Sequence, residues 1–216
     1  MVRGALLSVA LIACSYRAGT SGLAQDGPGG LARDGAAGRD AEVTRDAGFA
    51  IADCPASYTV TIADSRTRYR IIDTLQPFSD SNDSCNADLP GATHLAALDT
   101  VKEEVDLQAL LSSSARYFVG AVQAPGSTTT TAGWSLITGG SLPPGLWDSA
   151  DTEPNDNTFG NTTDYGYQQF ADLMQLTGPA LHDNDPDEYD GAICECDGLA
   201  VPSGIADQIA AQIPMN

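Results

Sequence analysis

The segment from Trp134 to Cys196 decides the fold, and the triplet Glu153-Pro154-Asn155 lies inside it. Acidic residues concentrate around the triplet, and the segment closes on Ala192-Ile193-Cys194-Glu195. Residues 139–163 contain much Gly, Pro, Asp and Asn and show little regular pattern. Because a loop this long inside a compact domain is usually functional, the triplet is the first candidate binding site.

Short strands and helices are predicted on both sides of this loop. Runs of aromatic and β-branched residues predict strands at Tyr58–Ile62, Tyr69–Ile72, Tyr117–Val122, Tyr165–Met174 and Ala192–Cys194. A first helix is predicted to begin at Pro77 and to end near Asn86. Isoleucines at intervals of four residues predict a short C-terminal helix with one packed side, formed by Ile205, Ile209 and Ile213.

A second helix is predicted between the first helix and the Tyr117 strand. It begins with the capping-box pattern Thr100-Val-Lys-Glu103 and is expected to end near Ser112. Its apolar residues predict one packed side, formed by Val101, Val105, Leu107 and Leu111.

Several short motifs occur in order from Cys54 to Asp197, about two-thirds of the chain. They are Phe78, Ser81 and Cys85 in the first helix, His94-Leu-Ala, Tyr117-Phe-Val-Gly120 and Ile193-Cys194-Glu195. Together they resemble a C-type lectin-like domain, in which Glu103 or Glu104 takes the place of a glutamate that follows His-Leu-Ala. The resemblance implies an α+β fold, in which two short helices flank antiparallel sheets and a long loop holds calcium and the ligand.

The resemblance also implies a calcium site on the triplet loop, where the ion binds two neighbouring sugar hydroxyls. Calcium takes about six to eight oxygen ligands. The family pattern places the ligands of the ion and of the sugar at Glu153, Asn155, Asp164 and Asp183. A cis peptide before Pro154 is implied too, and an X-Pro bond adopts the cis form far more readily than other peptide bonds.

Two departures from the family bear on this site. The family's Trp-Asn-Asp motif is replaced by Leu181-His182-Asp183. Since His is a poor calcium ligand, the last pair of ligands is either His182-Asp183 or, in a shifted register, Asn184-Asp185. The family's inner disulfide is also missing, because Gly166 stands at one of its positions.

Other residues near the loop have more than one interpretation. An acidic loop without metal, and a calcium site without sugar binding, are the alternatives to a sugar site. Asp156, with Asp148 or Asp151, is a candidate for an auxiliary calcium. Trp134 and Trp147 are predicted to pack in the core, and His94 is predicted to be a packed strand residue.

The five cysteines point to export and disulfide bonding. If Cys14 carries a lipid, four remain to pair, and the sequence alone allows three connectivities. The resemblance implies Cys85–Cys194, which leaves Cys54–Cys196. Metal binding by Cys194-x-Cys196 is the alternative.

The N-terminus predicts a lipid anchor. Residues 1–13 are interpreted as a signal peptide, and Leu11-Ile-Ala-Cys14 resembles a bacterial lipobox that would direct lipidation of Cys14. An ordinary secretory signal is the alternative. Because Ser15 rather than Asp follows the cysteine, we expect an exported protein anchored in the outer membrane of a bacterial cell envelope.

Composition divides the chain into four parts. Residues 1–13 are the signal peptide, and residues 14–53 predict a flexible linker because they contain almost no large apolar side chain. Residues 54–198 are predicted to form the lectin-like domain, and residues 199–216 a tail with a short helix.

The net charge and the absence of catalytic motifs exclude some classes of function. The chain has 10 basic and 29 acidic residues, a formal net charge of -19. This charge excludes nucleic acid as a partner and leaves membrane contact to the N-terminal lipid. Two histidines, without a Gly-x-Ser-x-Gly or His-Glu-x-x-His motif, give no nucleophile beside a base, so no enzyme is predicted. The oligomeric state is not indicated by the sequence.

These features predict a cell-surface lipoprotein that binds carbohydrate with Ca2+ as cofactor and a glycan or glycoconjugate as partner. In the family, a Glu-Pro-Asn triplet goes with mannose- or glucose-type sugar diols, and the resemblance implies that class here. The alternative is a calcium-independent protein-binding or adhesion module with the same fold.

Overall fold

Seven strands and three α-helices make up the part of the chain that the structure describes. The computed structural model describes residues 48–63, 65–112, 115–125, 127, 129–155, 170–174, 178–186 and 188–212. In chain order the elements are β1 (Arg68–Gln76), α1 (Phe78–Asp88), β2 (Thr93–Leu95), α2 (Val101–Gln108), β3 (Arg116–Gln123), β4 (Trp134–Leu136), β5 (Phe170–Met174), β6 (Leu181–Asn184), β7 (Asp190–Cys196) and α3 (Ser203–Gln212). The predicted α+β class is confirmed. None of the described helices is long and apolar enough to cross a membrane.

One sheet of seven strands has the order β1-β7-β3-β5-β6, with β2 also paired to β7 and β4 to β3. The pair β3–β7 is parallel and the other pairs are antiparallel. Every residue of β7 is buried, and so is every residue of β3 after Arg116. Strands that are buried on both faces tend to carry continuous apolar runs, and β3 has such a run. β7 is buried although it includes the charged residues Asp190 and Glu195.

The sheet separates two hydrophobic clusters, and successive residues of β3 point to opposite clusters. Phe118 and Val122 belong to the first cluster, together with Phe78 of α1 and Ile209 of α3. The second cluster contains Tyr117 and Val119 of β3 with residues of α2, β1, β5 and β7. The helices therefore cover both faces of the sheet.

Two disulfide bonds join distant parts of the chain to β7, as the resemblance implied. Cys85–Cys194 links α1 to β7 with a Cα–Cα distance of 5.3 Å. Cys54–Cys196 links the start of the domain to the end of β7 with a Cα–Cα distance of 6.0 Å. Because both sulfurs of Cys194-x-Cys196 are bonded to cysteine, the metal-binding alternative for this pair is wrong.

The predicted strand at Tyr58–Ile62 is wrong, since only an isolated bridge between Val60 and Tyr69 forms there. Side-chain contacts hold this segment instead of a strand ladder. The ring of Tyr58 is fully buried in the first cluster. Its hydroxyl donates a hydrogen bond to Asp88 Oδ2 at 2.9 Å.

The second predicted helix exists, but it ends at Gln108 and its buried side differs from the prediction. Val101 and Val105 are exposed, whereas Leu107 is buried as expected. The inner side buries three polar residues, Glu103, Glu104 and Gln108. They are tolerated there because other parts of the protein form hydrogen bonds with their polar atoms. Glu103 accepts a hydrogen bond from Tyr69, and Glu104 accepts one from the backbone of Ala180.

The described chain begins a few residues before the predicted domain boundary. Phe49 is half-buried, packs against the first cluster and lies against Gly198. The signal peptide, Cys14 and most of the predicted linker lie outside the described residues, as do Ile213 and residues 165–169 of a predicted strand. The four-part division of the chain stays a prediction.

Candidate functional site

The loop before the triplet follows the outer edge of β6. Trp147 forms a parallel bridge with Leu181. The backbone N–H of Asp148 donates to the carbonyl of Leu181 at 3.1 Å, and the N–H of Leu181 donates to the carbonyl of Leu146 at 3.1 Å. These bonds fix where the triplet lies relative to β6.

Trp134 and Trp147 contact each other, and Trp147 lies in this loop. Their rings lie 4.7 Å apart between centroids, at an interplanar angle of 66°. Both are half-buried and pack against the second hydrophobic cluster. Trp134 and Trp147 thus pack against the core, as expected, but both stay partly exposed and neither is one of its fully buried residues.

The triplet faces β6 at short range. The Glu153–Pro154 peptide is cis, as the resemblance implied. The backbone N–H of Asn155 donates to Asp183 Oδ1 at 2.7 Å, and the Asn155 side-chain amide donates to Glu153 Oε1 at 2.9 Å. Three of the four predicted ligands therefore lie together. The fourth, Asp164, lies outside the described residues, as does Asp156.

His182 lies between the triplet and the loop. Its Nδ1 donates to Glu153 Oε1 at 3.2 Å, and its Nε2 lies 3.6 Å from Asp148 Oδ2. Burial raises the pKa of Glu153, but interactions with His182 and Asp183 outweigh it and hold the pKa below its usual value. Burial lowers the pKa of His182, but the hydrogen bond with Glu153 and the charges of Asp172 and Asp148 raise it overall. The neighbouring carboxylates thus favour the protonated form of the imidazole, and burial opposes it.

Asp172 of β5 is the residue directly opposite His182 in the sheet. Its side chain is fully buried, and burial together with the charge of Asp190 raises its pKa to about 7. Arg116 offers the opposing charge, with nitrogens 3.7 Å from Asp172 and 3.4 Å from Asp190. Negative charge exceeds positive charge in this part of the molecule.

Comparison with known proteins shows the fold. No protein-family model matches the sequence, and no curated protein matches it. Solved structures do match. The carbohydrate-recognition domain of the human scavenger receptor C-type lectin is 18% identical, with a TM-score of 0.51 over 67% of this chain and 98% of that domain. The mouse domain is 17% identical, with a TM-score of 0.52 over 67% and 98%. The C-type lectin CEL-I from Cucumaria echinata is 12% identical, with a TM-score of 0.51 over 68% and 99%. This chain has the C-type lectin-like fold.

Within this C-type lectin-like fold, Asp183 rather than Asn184 faces the triplet. Asn184 is buried, its amide donates to Asp190 Oδ2 at 2.8 Å, and its oxygen accepts from the N–H of Asp185 at 3.0 Å. Both ends of the Asn184 side chain are thus engaged away from Glu153. The geometry favours the pair His182-Asp183 over the shifted register Asn184-Asp185.

Sequence reasoning missed Asp172, and the sequence holds a signal that could have found it. Asp172 stands between apolar residues in the run Phe170-Ala-Asp-Leu-Met174. A charged residue inside a buried strand is rarely left without an opposing charge. The position across from His182 could not be read from the sequence, because it depends on the pairing of β5 with β6.

A second group of ligand-type side chains lies elsewhere in the C-type lectin-like fold. Ligand atoms of His94, Glu195 and Asp197 lie within 4.8 Å of one another, and all three residues are buried. His94 Nδ1 contacts the carbonyl of Leu95 at 2.8 Å, and its Nε2 contacts Asp197 Oδ1 at 3.1 Å. Since protein atoms engage both ring nitrogens, His94 is the packed strand residue that the sequence predicted.

Proposed function

We propose that this chain is a carbohydrate-binding module that recognises sugar diols of the mannose or glucose type with the help of calcium. The observation that carries the proposal is the convergence of Glu153, Asn155 and Asp183 at one edge of the sheet, with hydrogen bonds of 2.7 and 2.9 Å between them. The comparisons support the coarser part, since the similar domains include carbohydrate-recognition domains. They indicate no enzyme family.

The side chains of this edge fit a calcium ion. Glu153 Oε2 is buried and has no hydrogen-bond partner among the described residues, and the Glu153 side chain is only 7% exposed. A buried carboxylate oxygen needs a partner, and a cation supplies one. Glu153, Asn155 and Asp183 offer the hard oxygen atoms that calcium prefers, and Asp164 is proposed as a further ligand. A bound calcium ion would supply positive charge to which sugar hydroxyl oxygens coordinate.

The same residue types suit a sugar. Each hydroxyl of a diol is both a donor and an acceptor, so it can donate to a carboxylate and accept from an amide. Glu153 and Asp183 provide the carboxylates, and the Asn155 side chain provides the amide. A site that mixes the two types can therefore satisfy both hydroxyls at once.

A calcium-independent protein-binding module is the second candidate, and His182 is the observation that favours it. Its imidazole contacts Glu153 Oε1 at 3.2 Å, so one carboxylate oxygen of the triplet already has a protein partner. A loop that is held by such contacts needs no calcium to keep its shape.

Retention of the full chain on mannose-coated beads, with calcium and with chelator, tests the proposal. We expect retention in calcium, and elution by chelator or free mannose but not by galactose. Glu153→Gln combined with Asn155→Asp should weaken retention at least tenfold, whereas Asp83→Asn, an exposed carboxylate change on α1, should not. Undiminished retention of the double variant would remove the triplet from the site. Retention in chelator would remove calcium from the mechanism. No retention under any condition would favour the protein-binding candidate.

We also propose that Cys14 carries a lipid and that residues 14–53 tether the domain to the outer membrane of a bacterial cell envelope. The support is the sequence Leu11-Ile-Ala-Cys14 and the pairing of the other four cysteines with each other. A module held away from a membrane on a linker would be placed to meet glycans outside the cell.

A further inference from the structure

The orientation of the His182 ring leaves one nitrogen available for a ligand. Nδ1 is turned to Glu153 Oε1 at 3.2 Å, so the carboxylate fixes which nitrogen carries the proton. Nε2 is buried and accepts or donates no hydrogen bond within the described part of the chain. Histidines that bind metals have this arrangement, in which the second ring nitrogen donates to a carboxylate and the first meets the ion.

Two carboxylates lie close to the His182 ring. Ligand atoms of Asp148, Asp151 and His182 all lie within 4.8 Å of one another. The distance from His182 Nε2 to Asp148 Oδ2 is 3.6 Å. Ligands about 2.0–2.2 Å from a tetrahedral zinc ion are about 3.3–3.6 Å apart, so the pair already has nearly the required separation.

The chemistry of these ligands selects the class of ion. Calcium and magnesium prefer oxygen ligands, whereas an imidazole nitrogen suits zinc, copper and nickel. We propose that Asp148, Asp151 and His182 bind a divalent transition-metal ion of the zinc class, with Glu153 as the residue that orients the imidazole. Three protein ligands leave a fourth position for water or another group.

Buried carboxylates near His182 favour a cation in this part of the molecule. Glu153 Oε2 has no hydrogen-bond partner among the described residues, and its side chain is more than nine-tenths buried. Both oxygens of Asp172, the fully buried neighbour of His182 across β5 and β6, also lack a hydrogen bond there, and Arg116 is 3.7 Å away. A cation beside His182 would add to the charge of Arg116 in offsetting these carboxylates.

The proposal does not rest on glycan binding. The three proposed zinc ligands include neither Asn155 nor Asp183, and zinc binding requires no sugar. Zinc binding and mannose retention can therefore fail separately. His182→Asn removes the imidazole, so it should abolish the zinc site.

Zinc titration of the full chain tests the site, with Cys14→Ser in every sample so that no unpaired thiol competes. The chain has two histidines, and NMR can follow both imidazoles at once. We expect His182 resonances to shift and saturate at one equivalent of zinc, while His94 resonances stay in place. Zinc should still shift the His182 resonances when millimolar calcium is already present.

Calorimetry of the same titration gives the affinity. His182→Asn and Asp148→Asn should each weaken zinc binding at least tenfold, and the matched change Asp83→Asn should leave it unchanged. If a buried variant fails to fold, Asp151→Asn, at an exposed position, carries the comparison. A His182 ring that does not respond to saturating zinc overturns the proposal, and so does equal zinc affinity in the folded variants.

Discussion

Glu104 is a buried carboxyl group whose ionisation opposes folding. Its side chain is fully buried on the inner side of α2. One oxygen accepts the backbone N–H of Ala180 at 2.7 Å and the side-chain amide of Gln108 at 3.3 Å. The other oxygen has no hydrogen bond within the described residues. Burial therefore raises the pKa of Glu104 from 4.5 to about 7.

This raised pKa predicts that Glu104 makes the protein less stable as pH rises. A carboxyl group with a higher pKa in the folded than in the unfolded chain holds its proton more tightly when folded. Its contribution is complete below about pH 4.5 and is lost as pH rises through about 7. Glu104→Gln keeps the neutral form at every pH, so it should raise the free energy of unfolding at pH 8 by about 2 kcal/mol. At pH 4.5 it should have little effect.

Urea unfolding of both proteins at pH 4.5 and pH 8 measures this difference. Asp83→Asn, which changes an exposed carboxylate, is the control. Glu103 also has a pKa of about 7, raised mainly by burial, so some pH dependence should remain in the variant. An unchanged gap between the two pH values would show that Glu104 is ionised in the folded protein without penalty.

The candidate site was predictable from the sequence only where short-range motifs specify it. Glu153-Pro154-Asn155 is a local motif, and the spacing of Asp183 from Cys194 placed the third ligand through the resemblance. The roles of His182 and Asp172 were not predictable, because they arise from the pairing of two strands whose register no local pattern specifies. Asp164 stays a prediction.

At the level of elements, close packing between strands explains the glycine in Tyr117-Phe-Val-Gly120. The N–H of Gly120 donates to the carbonyl of Ala96 at 2.7 Å, and its carbonyl accepts from the N–H of Ile137 at 2.7 Å. A Cβ at this position would lie 2.5 Å from the carbonyl oxygen of Leu95 and 2.6 Å from Ile137 Cγ2. Only glycine therefore fits at this position of β3.

Gly120→Ala should therefore destabilise the protein by about 2–3 kcal/mol, because a backbone oxygen in a packed sheet has little room to move. Gly204→Ala is the matched control, since a Cβ at Gly204 meets nothing within 4 Å. In helix α3 that change should be neutral or stabilising. Chemical denaturation of both variants decides the point. Equal stabilities would mean that the sheet relaxes around Gly120 without penalty.

Most elements with a strong local signal were predicted correctly, although the strand predicted at Tyr58–Ile62 does not form. β3 reads as an apolar run, β7 contains the predicted segment Ala192–Cys194, and α1 begins directly after Pro77 as expected. The inner side of α2 was mispredicted because apolar spacing pointed to Val101 and Val105. Its buried side is decided by hydrogen bonds to Tyr69 and Ala180, which lie far away in the sequence.

At the scale of the whole molecule, the odd number of cysteines leaves one for a role other than disulfide bonding, and we propose that this role is lipid attachment. Four of the five cysteines form the two disulfides, which leaves Cys14 as the one cysteine without a disulfide partner in the described residues. Expressed in an exporting bacterium, the full chain should fractionate with membranes, and Cys14→Ser should release it to the soluble fraction. Mass spectrometry of the N-terminus checks the lipid directly. Membrane association that persists in Cys14→Ser would rule out the anchor.

The net charge of -19 gives the calcium proposal its most demanding test, because any divalent cation can lessen repulsion between carboxylates. A specific site behaves differently. An ion that binds only the folded chain adds about 2.7 kcal/mol of stability at a hundredfold excess over its dissociation constant. Thermal unfolding in calcium should therefore show a rise in Tm over chelator, and magnesium at the same concentration should show a much smaller one.

Glu153→Gln isolates the site from the general effect of charge. The variant lowers the acidic count by a single residue, so screening by calcium should be nearly the same as in the wild type. Loss of the carboxylate charge and of one oxygen of Glu153 should nevertheless remove most of the calcium-dependent rise in Tm. If both proteins gain equally from calcium and magnesium, the stabilisation is screening, and the lectin-like fold serves a calcium-independent contact with protein.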